Sequence, residues 1–326
     1  MLQRLTATLK DRLVDWRERL RGVDDPFAAW STAAPDAGGR FESFGAWASR
    51  HVVPRRVDVW LPPGYDEPDA GPHAVLYMHD GQHLFDPATA AAGHPWAVGH
   101  HVTAQMLAGR MRPTIVVGIW STEKRYAEYV PASALRRLPA PLYELATRGG
   151  HSPAEAFEAL SDDYLRFLVE ELKPAIDARY RTRPGLADTA VMGSSMGGLA
   201  SLSALVTYPG VFGAAGCLST HWPLSINPLL LRRGGDRRLQ PIAEAGRAWL
   251  AEALPPAGRH RLYFDHGDRH LDALYAPHQQ AVDALAAARG YRRGADLQSL
   301  AFAGADHHER AWRARLGPAL AWLLPA

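Results

Sequence analysis

The chain of 326 residues contains a single cysteine, Cys217. No internal disulfide can form, so the fold must rest on its buried core. Lysine is almost as scarce: Lys10, Lys124 and Lys173 stand against 36 lysines and arginines together. Arginine replaces lysine throughout, which reads as a compositional habit rather than as a phosphate-binding surface. With 34 acidic residues the formal net charge is +2. That is too slight to draw nucleic acid or an anionic membrane as partner, and no block of like charges makes up for it. Missing as well is any apolar run long enough to span a bilayer. The N-terminus lacks the charged-then-apolar order of a secretory leader, because Lys10-Asp11-Arg12 and Asp15 interrupt it. The expected location is therefore cytoplasmic. A chain whose leader had been removed would read the same, so the periplasm and secretion stay open.

Apolar residues make up 47% of the chain, enough for one sizeable domain with decorations. Leu2, Leu5, Leu9, Leu13, Trp16 and Leu20 recur at helical spacing, which predicts an amphipathic helix over residues 1–22. It is expected to pack on the body of the protein or to pair in a homodimer. Residues 23–54 read as a connector and first strand region. Beyond them, strands are expected at Arg56–Leu61, Ala74–Met78, Thr114–Ile119, Thr189–Met192, Ala214–Leu218, Arg261–Phe264 and Gln298–Phe302. Helices are expected at Trp96–Ala108, Ser161–Arg179, Ser195–Tyr208, Gln240–Ala253, His278–Ala288 and Glu309–Leu323. Such alternation predicts an α/β fold with a mostly parallel sheet covered on both faces over residues 55–326. Pro62-Pro63-Gly64 suggests that the first two strands form an antiparallel hairpin. Residues 131–160, broken by Pro139, Pro141, Gly149-Gly150 and Pro153, read as an insertion above the C-terminal sheet edge, either a lid or a passive excursion.

The most informative segment is Gly193-Ser194-Ser195-Met196-Gly197, set between the apolar Thr189–Met192 and an Ala- and Leu-rich helix. A serine hydroxyl is a weak nucleophile unless it is raised from the sheet and aimed at a base, and G-x-S-x-G at a strand-to-helix turn does this. Ser195 is the expected nucleophile. Ser194 is the competing hydroxyl, and glycines that serve only tight packing are the plain alternative.

A nucleophilic serine needs an imidazole and an orienting carboxylate. In chain order the acid and then the base follow the serine, on loops after later strands. The last expected strand runs into Asp306-His307-His308-Glu309, so His307 or His308 is the expected base; the plain alternative is that either one caps the final helix. The preceding strand runs into His266-Gly267-Asp268-Arg269-His270-Leu271-Asp272, which leaves Asp268 and Asp272 as candidate acids. His266, Asp268, His270 and Asp272 also carry metal-ligand chemistry. They lie in a Gly-containing loop, without the helical H-E-x-x-H arrangement, so no metal is expected. Two N–H donors should face the developing oxyanion: that of Met196 and, from the loop His79-Asp80-Gly81-Gln82, that of Gln82.

Val75–Asp86, Gly193–Leu199 and Asp306–Trp312 together resemble the putative-esterase family of α/β hydrolases, which includes esterase D-like, siderophore and feruloyl esterases and the mycolyltransferases. The resemblance covers about Arg55 to Leu324. It implies an α/β-hydrolase fold and ester hydrolysis without a cofactor. The family's final motif, His-Asn-Glu-x-x-Trp, aligns the base with His307; here His308 replaces the Asn. Its Gly-x-x-x-Leu-Asp-Ala-x-Tyr pattern aligns the acid with Asp272. Its Arg-x-x-Glu-Tyr-x-Pro segment falls on Arg125, Glu128-Tyr129 and Pro131. Arg125 is there to bind a substrate carboxylate or phenolate, or to pair with Glu128. Trp120, Trp222, Tyr126 and Tyr129 are expected in edge loops, as aromatic substrate walls or as core. The expected function is a serine carboxylesterase acting on small siderophore, feruloyl or sugar-linked esters. The alternatives are an acyltransferase with the same triad and a non-catalytic binding protein.

Overall fold

The computed structural model describes residues 37–148, 157–228, 230–231 and 237–326. The helix expected over residues 1–22 lies outside the described residues, as do residues 23–36 and residues 149–156 of the expected insertion.

One sheet has the strand order β1-β2-β4-β3-β5-β6-β7-β8. The strands are β1 (Arg40–Trp47), β2 (Arg55–Leu61), β3 (Ala74–His79), β4 (Thr114–Ile119), β5 (Thr189–Ser194), β6 (Ala214–Leu218), β7 (Arg261–His266) and β8 (Leu297–Ala301). β2 pairs antiparallel with both β1 and β4, and all other pairings are parallel. The helices are α1 (Val98–Leu107), α2 (Arg125–Tyr129), α3 (Ala132–Leu135), α4 (Ala140–Thr147), α5 (Ser161–Arg166), α6 (Lys173–Arg179), α7 (Met196–Thr207), α8 (Leu239–Ala253), α9 (Ala276–Ala288) and α10 (Glu309–Leu323). The helix expected over Ser161–Arg179 is α5 and α6 joined by a π-helical stretch, Phe167–Leu172. This is the α/β-hydrolase fold, with helices on both faces of a mostly parallel sheet.

The expected hairpin between Arg56–Leu61 and Ala74–Met78 does not form. β4 lies between them: Val57 is opposite Ile119, while Leu76 is opposite Val116 on one side and Ala190 on the other. The composition explains the outcome. Ala74–Met78 is apolar at every position and needs cover on both faces and both edges, which only a central parallel strand receives. β2 carries Arg55, Arg56 and Asp58 and sits one strand from the edge.

Side-chain alternation along β3 divides the core in two. Val75 and Tyr77 join Leu199, Leu202 and Phe167 on one face; Leu76 and Met78 join Trp96, Trp312 and Leu316 on the other. The chain leaves β3 toward β4 on one side and, later, enters β5 on the other. The loops after β3 and β5 therefore meet where the strand order reverses, the usual ligand crevice of open α/β sheets. The described part of the insertion lies near this edge. Ala146 O accepts from the Tyr126 and Ser225 hydroxyls, and Leu145 O accepts from the Asn227 amide.

Candidate active site

β5 ends at Ser194 and α7 begins at Met196, which leaves Ser195 alone at the apex with φ +56° and ψ −118°. A non-glycine residue held there costs about 1–3 kcal/mol and persists only where its surroundings impose it. Here the Ser195 N–H donates to Leu218 O at 2.8 Å, and its carbonyl accepts from His221 N–H at 3.1 Å. The turn is tight enough that a Cβ at Gly193 would fall 2.7 Å from the Gly197 carbonyl carbon. Ser194 is buried in the strand and pairs with Leu218, so Ser195 is the raised hydroxyl.

The loops after β7 and β8 bring Asp272 and His307 together. His307 Nδ1–H donates to Asp272 Oδ1 at 2.6 Å, which leaves Nε2 as the free imidazole nitrogen. Asp272 is fully buried. Burial alone would raise its pKa, but the bond from His307, followed by those from Ser219 and Gly267, brings it below the ordinary carboxylate value. Asp268, the competing acid, is more than half exposed and accepts from Gly304 N–H in a surface turn. His308 is turned away as the N-cap of α10, where its Nδ1 accepts from Arg310 N–H at 3.1 Å.

The loop after β3 supplies the facing wall. Asp80 takes a left-handed backbone, φ +58°, and opens a single 3₁₀ turn, Gly81–His83. A Cβ at Gly81 would lie 2.7 Å from Trp120 Cδ1 and 2.8 Å from the Gly118 carbonyl carbon. The Gln82 side chain is tied to Ser121 in both directions: its Nε2 donates to Ser121 Oγ at 2.6 Å, and its Oε1 accepts from Ser121 N–H at 3.1 Å. Met196 opens α7, so its N–H is one of the donors that a helix start leaves without a carbonyl partner in the preceding turn. The helix dipole adds partial positive charge there.

Arg125 does not pair with Glu128. It grips Asp80 through two parallel bonds of 2.6 and 2.7 Å, while Glu128 is held by buried Arg55 at 2.7 and 2.9 Å. Burial works against the Arg125 charge, but Asp80 more than restores it, and the guanidinium pKa is raised. Its Nε and Nη2 are engaged with Asp80, and Nη1 makes no bond to that carboxylate. Trp120 is half-buried; its indole N–H donates to Asp58 at 2.6 Å and Arg56 stacks on its ring. Trp222 is buried beside Phe264, with its N–H on Gln279 at 3.0 Å. Tyr126 and Tyr129 are core residues too. The histidines and acids of the β7 loop diverge: His266 Nδ1–H donates to Gly267 O, and exposed His270 faces Asp306. Among the described residues no group of three or more His, Cys, Asp or Glu converges as metal ligands.

A family model described as Putative esterase matches residues 52–323. The chain belongs to that family. A siderophore triacetylfusarinine C esterase of Aspergillus fumigatus is 30% identical over 142 residues, covering 44% of this chain and 42% of that protein. The uncharacterized protein YbbA of Bacillus subtilis is 26% identical over 179 residues, covering 55% and 62%. The chain thus spans less than two thirds of the length of either curated relative. Among solved structures, the enterobactin esterase of Shigella flexneri in the presence of enterobactin superposes with a TM-score of 0.60 at 17% identity, over 87% of this chain and 58% of that one. A ferulic acid esterase of Anaeromyces mucronatus gives 0.57 at 18%, over 92% and 91%. At these identities the likeness is one of fold.

Other residues of this putative-esterase site escaped the sequence reading. The Tyr275 hydroxyl donates to His221 Nδ1 at 2.8 Å and lies next to the Ser195 side chain. His221 donates in turn from Nε2 to Ser225 O at 2.8 Å, and burial pushes its pKa down to about 4, so it is neutral. Behind Asp272 lie Ser219 and the buried Arg315. One signal was available: the polar run Ser219-Thr220-His221 follows the apolar β6 directly, at the sheet edge where ligands bind. Arg315, inside a helix of unremarkable pattern, gave none.

Proposed function

We propose that the protein is a serine carboxylic-ester hydrolase. The Ser195 hydroxyl attacks the ester carbonyl carbon while His307 Nε2 takes its proton, and Asp272 holds the imidazole in the tautomer that leaves Nε2 bare. The carbonyl oxygen becomes an oxyanion facing the N–H groups of Met196 and Gln82. Collapse expels the alcohol, which receives the proton from His307 and leaves an acyl-Ser195 ester. Water then attacks by the reverse path, releasing the acid and freeing Ser195. Neither metal nor cofactor enters any step.

The observation that carries this reading is the 2.6 Å bond between His307 Nδ1 and buried Asp272. The second support is a serine held at φ +56° on a strand-to-helix elbow. The substrate class we propose is a small siderophore, feruloyl or sugar-linked ester, in keeping with the esterases that the chain matches in sequence and fold. The test is turnover of p-nitrophenyl esters and labelling by a fluorophosphonate in the intact protein and in Ser195→Ala. We expect the variant to lose labelling and to lose turnover by about a thousandfold or more while keeping its melting temperature. Full activity in that variant would overturn the reading. Product analysis with a competing alcohol separates hydrolysis from acyl transfer.

A further inference from the structure

The two oxygens of Asp272 have different partners. Oδ1 serves His307. Oδ2 accepts from the Ser219 hydroxyl at 2.6 Å and from Gly267 N–H at 2.7 Å. A serine hydroxyl has one hydrogen to give and two lone pairs to offer. Both lone pairs of Ser219 are taken by obligate donors: Trp312 Nε1–H at 3.0 Å and Arg315 Nη2–H at 2.7 Å. Its own hydrogen therefore has one direction left, toward Asp272. Ser219 is completely buried and held at φ +42°. Its N–H donates to the Asp265 carbonyl at 2.8 Å, so backbone and side chain are both fixed. Arg315 is itself anchored, 3.0 Å from Asp265 Oδ1 and 3.9 Å from Asp272 Oδ2.

We propose that Ser219 is a positioning residue for the Asp272–His307 pair, its hydroxyl locked by Arg315 and Trp312 so that it holds the carboxylate in the rotation that presents Oδ1 to the imidazole. The proposal rests on the catalytic reading above. It also gives a second purpose to Trp312, whose ring packs edge-on against His307 at 5.0 Å. The titratable and charged groups packed around the pair are Asp265 from β7, Arg315 from α10, His221 from the loop after β6, and Tyr275 before α9. His221 is neutral and the Tyr275 phenol is held protonated by burial. The Asp265–Arg315 pair is thus the charged element beside Asp272.

Removing the Ser219 donor strengthens the field of Asp272 on His307 and favours the protonated imidazole. The experiment compares the intact protein with Ser219→Gly, which suits φ +42°, and with Ser219→Ala, which keeps a Cβ. Ester turnover is measured across pH, and active sites are counted by fluorophosphonate. We expect both variants to titrate a full complement of sites. Each should lose about tenfold or more in kcat with KM within about twofold, and the acid limb of kcat/KM should move upward by about half a pH unit or more. A role in packing alone would lower the count of active sites or the melting temperature, and would leave kcat per site and the acid limb where they were. That result overturns the proposal. Wild-type behaviour in both variants overturns it too, while leaving the nucleophile intact. Retained activity in Ser195→Ala is a different failure, that of the catalytic reading itself.

Discussion

Two adjacent histidines with the same chemistry have separate tasks because of where α10 begins. His307 precedes the helix and reaches Asp272; His308 is its N-cap and gives its Nδ1 lone pair to Arg310 N–H. Their substitutions should part accordingly. His307→Ala should reduce ester turnover about a thousandfold or more with little change in melting temperature. His308→Ala should remove about 1 kcal/mol of stability, the usual worth of a cap, and leave much of the turnover. Parallel kinetics and thermal melts check both. At this scale Ser195 stood out because its motif is local; the loops after the last two strands left Asp268 or Asp272 and His307 or His308 open, and the family motifs favoured Asp272 and His307. Ser219 and Arg315 were not legible, and Tyr275 entered only as the last residue of the family pattern around Asp272. The bonds from Trp312 and Arg315 to Ser219 bridge 93 and 96 residues, and no local pattern encodes a contact of that span.

At the scale of elements, the strands that the sequence marked most clearly are those buried on both faces, because uninterrupted apolar runs leave little choice of structure. Adjacency was harder. A Pro-Pro-Gly turn suggested that β2 and β3 are neighbours, yet the apolar β3 found fuller cover between β4 and β5. A turn fixes where the chain bends and leaves the next partner open. The loop after β3 shows how closely its neighbours then constrain it. With Trp120 and the Gly118 backbone under 3 Å from a Cβ at position 81, Gly81→Ala must push the 3₁₀ turn outward and carry the Gln82 N–H with it. We expect about a hundredfold loss of kcat, with the nucleophile still open to fluorophosphonate. Labelling at the wild-type rate together with unchanged turnover would exclude that loop from the reaction.

For the molecule as a whole, several histidines are buried without charge. His79, His101 and His221 are each pushed down by burial from 6.5 to about 4. In the unfolded chain they take up protons below about pH 6.5; in the folded chain they do so only near 4. Between those limits the unfolded state binds more protons, so stability falls as pH falls. Each such group contributes a slope of up to about 1.4 kcal/mol per pH unit. Asp80 and Asp272, whose pKa values are lowered in the fold, add their own loss only further down, as pH drops below the ordinary carboxylate range. A melting temperature that declines between pH 6.5 and 4, and more gently in a His101→Gln variant, would bear this out; a flat profile over that interval would refute it.

The order in which these parts occur along the polypeptide has a consequence for its synthesis. A chain emerging from the ribosome N-terminus first presents Ser195 before Asp272 or His307 has been made, and because a domain folds as a unit its one sheet awaits β7 and β8. On the proposed mechanism the nascent protein carries an unarmed nucleophile, harmless to the acyl esters around it until its own later segments close the site.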